Sequence, residues 1–371
     1  MRGLIASLFC GSLFTTPAAG ADQDTLLTDF LPGLFEDKGL APIYSDGYLT
    51  FYLDNDLFAG TDEGYTNGAR LSWISGERGF EEFGEIQEFL RGAIGDRESI
   101  GIFRNVSGFK NPDEVKYHFG FSLTQLMFTP QSLTALTPPM GQRPYAAWLG
   151  LGYSLHAKDR DTLNSAELTV GIVGPAALGE ETQDFIHDLR GYADFEGWDS
   201  QLSNEFTLGF TFTQKRTLAI TERTRGRFGM DGLTEWGFTL GNFRTNAFGG
   251  ALIRAGYNLP SAFSDPRLAL NAYSLEPFDR SEAQPGSWSA YLLAGARIKI
   301  SAFDATLDGP LFRNVNTGVE RELLVGELYA GFGVRRGDWD VSYVHTFQTR
   351  EFEEQADDLH TFGSLALRYN F

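Results

Sequence analysis

From residue 48 to its last residue the chain alternates apolar and polar side chains in runs of about ten residues, the two-residue period of a strand with unlike faces. In Tyr65 to Ile74, Ala69, Leu71 and Trp73 share one side while Arg70 and Ser72 take the other. In Glu167 to Val173, Leu168, Val170 and Ile172 oppose Glu167, Thr169 and Gly171. The remaining runs are Tyr48 to Leu53, Tyr117 to Phe128, Tyr145 to His156, Asn204 to Thr213, Thr217 to Glu222, Glu235 to Leu240, Gly250 to Tyr257, Trp288 to Ala302, Glu322 to Arg335, Trp339 to Thr349 and His360 to Phe371. The last ends on Leu365, Leu367, Tyr369 and Phe371, an apolar face closed by an aromatic terminus. Such a series predicts an all-β fold, a transmembrane antiparallel β-barrel of the outer-membrane kind. Single-chain barrels have even strand numbers, so the thirteen runs reduce to about 12 strands by joining Thr217 to Glu222 with Glu235 to Leu240, two of the shortest.

Three stretches break the pattern. Gly174 to His187 reads as a short helix in an extracellular loop, with Pro175 suited to a first turn and Glu180 and Glu181 near the positive end of the helix dipole. Gln183 and His187 lie four apart and share one face of it. In residues 77 to 116, Phe83, Ile86, Phe89 and Leu90 have the spacing of an amphipathic helix packed against the barrel end. Residues 22 to 46, with Pro32, Gly33 and Pro42, show no period and form a leader before a single barrel domain spanning 47 to 371. Residues 1 to 21 read as a signal peptide: Arg2, an apolar run from Leu4 to Phe14, then Ala18 to Ala21 as the cleavage zone. Cys10 is the chain's one cysteine and leaves with that segment, so the mature chain has no disulfide, thiolate ligand or cysteine nucleophile.

The net charge of −19 argues against nucleic acid, whose phosphates must be met by Lys and Arg. No later stretch supplies the roughly 20 continuous apolar residues of a spanning helix. The 43 glycines and the 14% aromatic content suit tight barrel packing and interfacial girdles.

If the first strand rises from the periplasm, Asn55 and Asp56 mark its outer end, Thr66 starts the second strand beside them, and the loop carrying Gln183 and His187 emerges on the same side. One imidazole and several oxygen donors are the parts of a hydrolase in which a neutral histidine takes a proton from water. A hard cation held by a carboxylate and carbonyls could stabilise an ester oxyanion, and all-oxygen donors favour Ca²⁺ over Zn²⁺. Taken singly, each group has a plainer reading: Asn55-Asp56 as a turn, His187 as a solvated helix residue. His118, His156, His345 and His360 fall within strands.

At these residues the chain resembles the outer-membrane lipid A 3′-O-deacylase family. The resemblance is carried by Asn55-Asp56, Tyr65-Thr66-Asn67-Gly68, Gln125 to Pro130, Arg143-Pro144-Tyr145-Ala146, Gly171 to Pro175, Gln183 to His187, and Gly197-Trp198-Asp199-Ser200-Gln201, in order. It implies a twelve-stranded barrel in the bacterial outer membrane, with the active site between barrel wall and loop helix. It further implies Ca²⁺ dependence and removal of the 3′-linked acyloxyacyl chain from lipid A of lipopolysaccharide in the outer leaflet. Carried over, His187 would be the base, Asp56 the metal-associated carboxylate, and Asn55, Thr66 and Gln183 supporting polar groups of a carboxylic ester hydrolase acting as a monomer. Two departures stand out: Ala193 falls where some relatives have glutamate, and the candidate for a lysine after the Thr-Pro element is Arg143. The alternatives are a non-catalytic porin or structural barrel, and a serine-type outer-membrane phospholipase.

Overall fold

The computed structural model describes residues 47–55, 64–76, 108–109, 115–132, 135–190, 195–219, 228–259 and 288–371. Twelve strands close into one antiparallel barrel: β1 (Gly47–Asn55), β2 (Gly64–Ser75), β3 (Lys116–Thr129), β4 (Ala146–Lys158), β5 (Thr162–Val173), β6 (Glu205–Ala219), β7 (Phe228–Gly241), β8 (Arg244–Tyr257), β9 (Trp288–Asp304), β10 (Leu324–Arg336), β11 (Trp339–Thr349) and β12 (Leu359–Asn370). Each strand pairs with its sequence neighbours, and β12 closes on β1 with Gly47 and Phe371 exchanging backbone hydrogen bonds of 3.1 Å. Closure leaves no strand edge unpaired, the condition for sheet to cross a bilayer. Gly47 and Phe371 thus lie at one end of the barrel; taking that end as the periplasmic one, as for single-chain outer-membrane barrels, makes the opposite end the outer one.

The polar face is the inner one. Ion pairs are buried along the lumen: Arg70 with Glu167 at 3.0 Å, Arg254 with Asp231 at 2.7 Å and Arg297 with Glu235 at 2.9 Å. Beside them lie two apolar clusters, one toward the outer end with Tyr52, Phe128, Trp148 and Phe362, the other with Leu163, Leu233, Tyr291 and Tyr329. The outer wall exposes Leu151, Leu208, Ile253, Leu292, Ile298 and Leu328, a surface that only a lipid phase would cover at no cost. Near its periplasmic rim, Trp73, Phe119, Phe121 and Tyr153 form an aromatic group, with Trp339 and Tyr369 in tilted contact further round. Leu365, Leu367 and Tyr369 lie on the outer face as their alternation predicts, whereas Phe362 points inward and is 1% exposed.

The number twelve stands, but its division differs from the sequence reading. Thr217 continues β6, and Glu235 to Leu240 is the outer half of a separate β7. The polar run Gln214-Lys215-Arg216 looks like an interruption, yet it is ordinary strand: Lys215 turns into the lumen, and Gln214 accepts a hydrogen bond from the Trp236 indole at 3.1 Å. The helical insertion is also divided. Pro175–Ala177 forms a 3-10 turn, Leu178 adopts φ 59°, and α1 begins only at Gly179, running to Arg190. A second helix that the pattern did not announce, α2 (Ala305–Asp308), follows β9, with the Asp304 side chain accepting from the Thr306 N–H at 2.9 Å. The signal peptide, the leader, the helix pattern from Phe83 to Leu90, Asp56 and Ala193 lie outside the described residues.

Side chains bridge the outer mouth. Arg143, before β4, donates to Glu351 at 3.0 Å and to the Thr306 hydroxyl at 3.0 Å, while Lys299 holds the other Glu351 oxygen at 3.1 Å. Arg244 pairs with Asp304 at 2.8 Å, and the guanidinium groups of Arg143 and Arg244 both lie on the Phe128 ring. Burial alone would raise the Glu351 carboxyl, but Lys299 and Arg143 hold it well below the usual carboxylate range.

Candidate active site

Residues that alternate toward lipid should be exposed, so those that are buried reveal what covers them. On β3 the outward positions Phe121 and Leu123 are open or half open, but Gln125 and Met127 are only 4% and 3% exposed. Ala147 on β4 is buried in the same way. Met127, Tyr145, Ala147, Ala177, Phe195 and Trp198 form one cluster, with Leu149 and Ile172 against it. The loop carrying α1 therefore lies against the outer flank of the wall, across β3, β4 and β5, at the end away from the periplasm.

Specific contacts fix this seat. The Gln125 amide donates to the carbonyls of Ala177 at 2.8 Å and Leu178 at 3.1 Å and to the Thr182 hydroxyl at 3.1 Å, and the Gly174 N–H donates to Ala147 O at 2.9 Å. Gly179 opens the helix where a Cβ would come within 2.5 Å of the Ala147 methyl and 2.8 Å of the Trp198 ring, so any other residue would lift α1 off the wall. The Trp198 ring, 1% exposed, packs on Tyr145 with centroids 5.1 Å apart.

Strand register then relates this seat to the opening hairpin. Asn55 pairs with Asn67, Asn67 with Met127, and Met127 with Ala147, forming one row around the wall. Asn55 and Asn67 occupy outward positions of that row, and at about 4.8 Å per strand Asn55 stands roughly 10 Å from the strand under the helix. Asn67 is only 6% exposed despite its outward position. Thr66 is the extra residue of a bulge between Tyr65 and Asn67, a device that turns side chains at barrel rims and next to sites.

Gln183 and His187 lie on the covered side of α1, 3% and 5% exposed. The His187 ring meets the Phe195 ring edge-on at 4.7 Å. Gln183 Oε1 accepts from the Trp198 indole N–H at 2.8 Å. In the first turn the Glu180 carboxyl is pushed up by burial and then by Asp184, Asp199 and Glu181. The arrangement brings a histidine, an amide and the outward asparagines of β1 and β2 to one side of the barrel end.

Arg143 does not join them. Its guanidinium turns inward to Glu351, since a cation paired over the lumen is far better placed than one facing lipid. His118 and His156 are buried in the lumen wall near the periplasmic end. Among the described residues no three His, Cys, Asp or Glu side chains gather in a metal-binding group. Gln125, Asn67 and Trp198 are the polar residues of the seat to which the sequence reading gave no role. Alternation marks Gln125 as a polar residue on a lipid-facing row, and that was the signal available.

The family model described as outer membrane protein LpxR matches residues 8–371. No curated protein sequence matches the chain. Among solved structures, LpxR from Salmonella typhimurium superposes with a TM-score of 0.65 at 16% identity, covering 87% of this chain and 100% of that one. The β domain of the Bordetella autotransporter BrkA gives 0.40 at 10% identity, covering 88% and 99%. The described strands and the match over nearly the whole length agree: this chain belongs to the outer membrane protein LpxR family.

Proposed function

We propose that this protein is an outer-membrane esterase that removes the 3′-linked acyloxyacyl chain of lipid A. The observation that carries the reading is the buried pair Gln183 and His187 on the covered face of α1, against the outer wall, along which acyl chains of outer-leaflet lipid would reach them. A site inside the lumen would be closed to such chains. A site on the flank admits them sideways from the membrane.

In this reading His187 accepts a proton from a water molecule as that water attacks the ester carbonyl. The tetrahedral intermediate collapses, the bond from the former carbonyl carbon to the sugar 3′-oxygen breaks, and the imidazolium returns the proton to the departing sugar alkoxide. The donors nearest the site suit a hard cation: the amide oxygens of Asn55 and Asn67, both outward on one row, with Asp56 next in sequence to Asn55. Asp56 with Asn55 would hold Ca²⁺, which when bound supplies a positive charge for the developing oxyanion. Thr66, at the bulge, is the further supporting group.

The test is mass spectrometry of lipid A incubated with the purified barrel in detergent micelles. Loss of the 3′-linked acyloxyacyl chain is expected with Ca²⁺, product should fall to background in EGTA, and added Ca²⁺ should restore it where Mg²⁺, which demands tighter octahedral geometry, does not. Full activity in EGTA would remove the cation from the mechanism.

A further inference from the structure

The Gln183 amide has one prong fixed and one left over. An indole N–H can only donate, so the Gln183 atom 2.8 Å from Trp198 Nε1 must be the carbonyl oxygen, and the NH₂ group is the other prong. That Nε2 is buried and has no hydrogen-bond partner among the described residues. Burying an amide donor without an acceptor is costly, and native structures rarely do so without a water, an ion or a ligand to receive it. Gln183 lies one helical turn before His187 on the covered face of α1.

From this we infer that Trp198 is a positioning residue. It locks the Gln183 amide so that Nε2 is presented as a preset donor to the carbonyl oxygen of the scissile ester, where negative charge develops. The inference rests on the esterase reading above and adds a residue and a role to it. Rotation of the amide by half a turn would aim its oxygen at that oxyanion and set its NH₂ against an indole N–H. Trp198 opposes both. Its ring cannot shift to allow it, being wedged between Tyr145 and Gly179. A preset donor needs no reorganisation as charge forms, which is the property that makes such groups effective.

The test uses purified full-length barrel, kinetics on lipid A, and the indole ¹⁵N–¹H signal assigned to Trp198. Gln183→Glu keeps an acceptor for the indole but removes the donor, and is expected to lower kcat by about 10²- to 10³-fold with KM little changed. Trp198→Phe keeps an aromatic ring in the seat but removes the N–H and frees the amide, and should lower kcat by roughly tenfold. The double variant should be no slower than Gln183→Glu alone, because Trp198 acts only through the donor already lost. A structural role for Trp198 would instead add its effect in the double variant, and that result, or wild-type kcat in Gln183→Glu, overturns the proposal. Wild-type protein that releases no acyl chain while its Trp198 indole stays protected from exchange overturns the esterase reading, and the proposal with it. If Trp198→Phe is not recovered as a heat-modifiable barrel, Gln183→Glu decides alone.

Discussion

Replacing His187 with alanine is expected to slow acyl-chain release from lipid A by about 10²- to 10⁴-fold, the range for loss of a general base. His187 lies on the loop helix outside the barrel wall, where its ring meets Phe195 of the same loop. The barrel, sealed by twelve strand pairings including β1 with β12, should therefore stay folded. The measurement pairs mass spectrometry of the lipid product with electrophoresis of unheated samples, in which a folded barrel migrates apart from the unfolded chain. Wild-type rates in a correctly folded His187→Ala barrel would sink the base assignment. Loss of both activity and the folded band would show only that the helix matters to assembly, so His187→Asn, closer in shape, serves as the companion variant.

Glu351→Ala should be the most destabilising substitution at the outer mouth, costing about 3–5 kcal/mol. Glu351 is 5% exposed and its two oxygens separately hold Lys299 and Arg143, so its removal strands two buried cations. Urea unfolding of the barrel in micelles measures the cost. Lys299→Met should be milder, because Arg143 still neutralises Glu351. The same carboxylate sets a pH dependence. Its folded-state pKa is depressed by the two cations, so its contribution is complete above the unfolded value near 4.3 and is lost only as pH falls through the lower folded value. Unfolding midpoints should thus hold across neutral and mildly acid pH and drop in strong acid, and in Glu351→Ala that acid-linked drop should shrink.

Legibility in the sequence followed the range of the interactions. Alternation is local, set by the pleat, and it identified the strands, their faces and the barrel, down to the outward Leu365, Leu367 and Tyr369. It misdivided β6 and β7 because Lys215 is buried on the lumen side, and a run of three polar residues does not show which way each one faces. It also ran the 3-10 turn and α1 together, because Pro175 suits the start of either, while the left-handed Leu178 between them is stabilised by Gln125 from another strand.

Of the candidate site, the helix face shared by Gln183 and His187 was written in their spacing of four. The chain order also placed the ends of β1 and β5 on one side. What spacing could not say is that α1 lies on the outer flank of the wall, because burial of Gln125 and Met127 at lipid-facing positions exists only once strands 3, 4 and 5 are assembled beneath a helix from a distant loop. Nor could it say that the indole of Trp198 fixes the Gln183 amide across fifteen residues. The sequence alone determined a closed, lipid-facing barrel, since backbone periodicity and side-chain polarity are properties of neighbours along the chain. Only the tertiary structure decided on which surface the polar groups meet and which way each one points, because those depend on register and packing between segments that the chain itself keeps far apart.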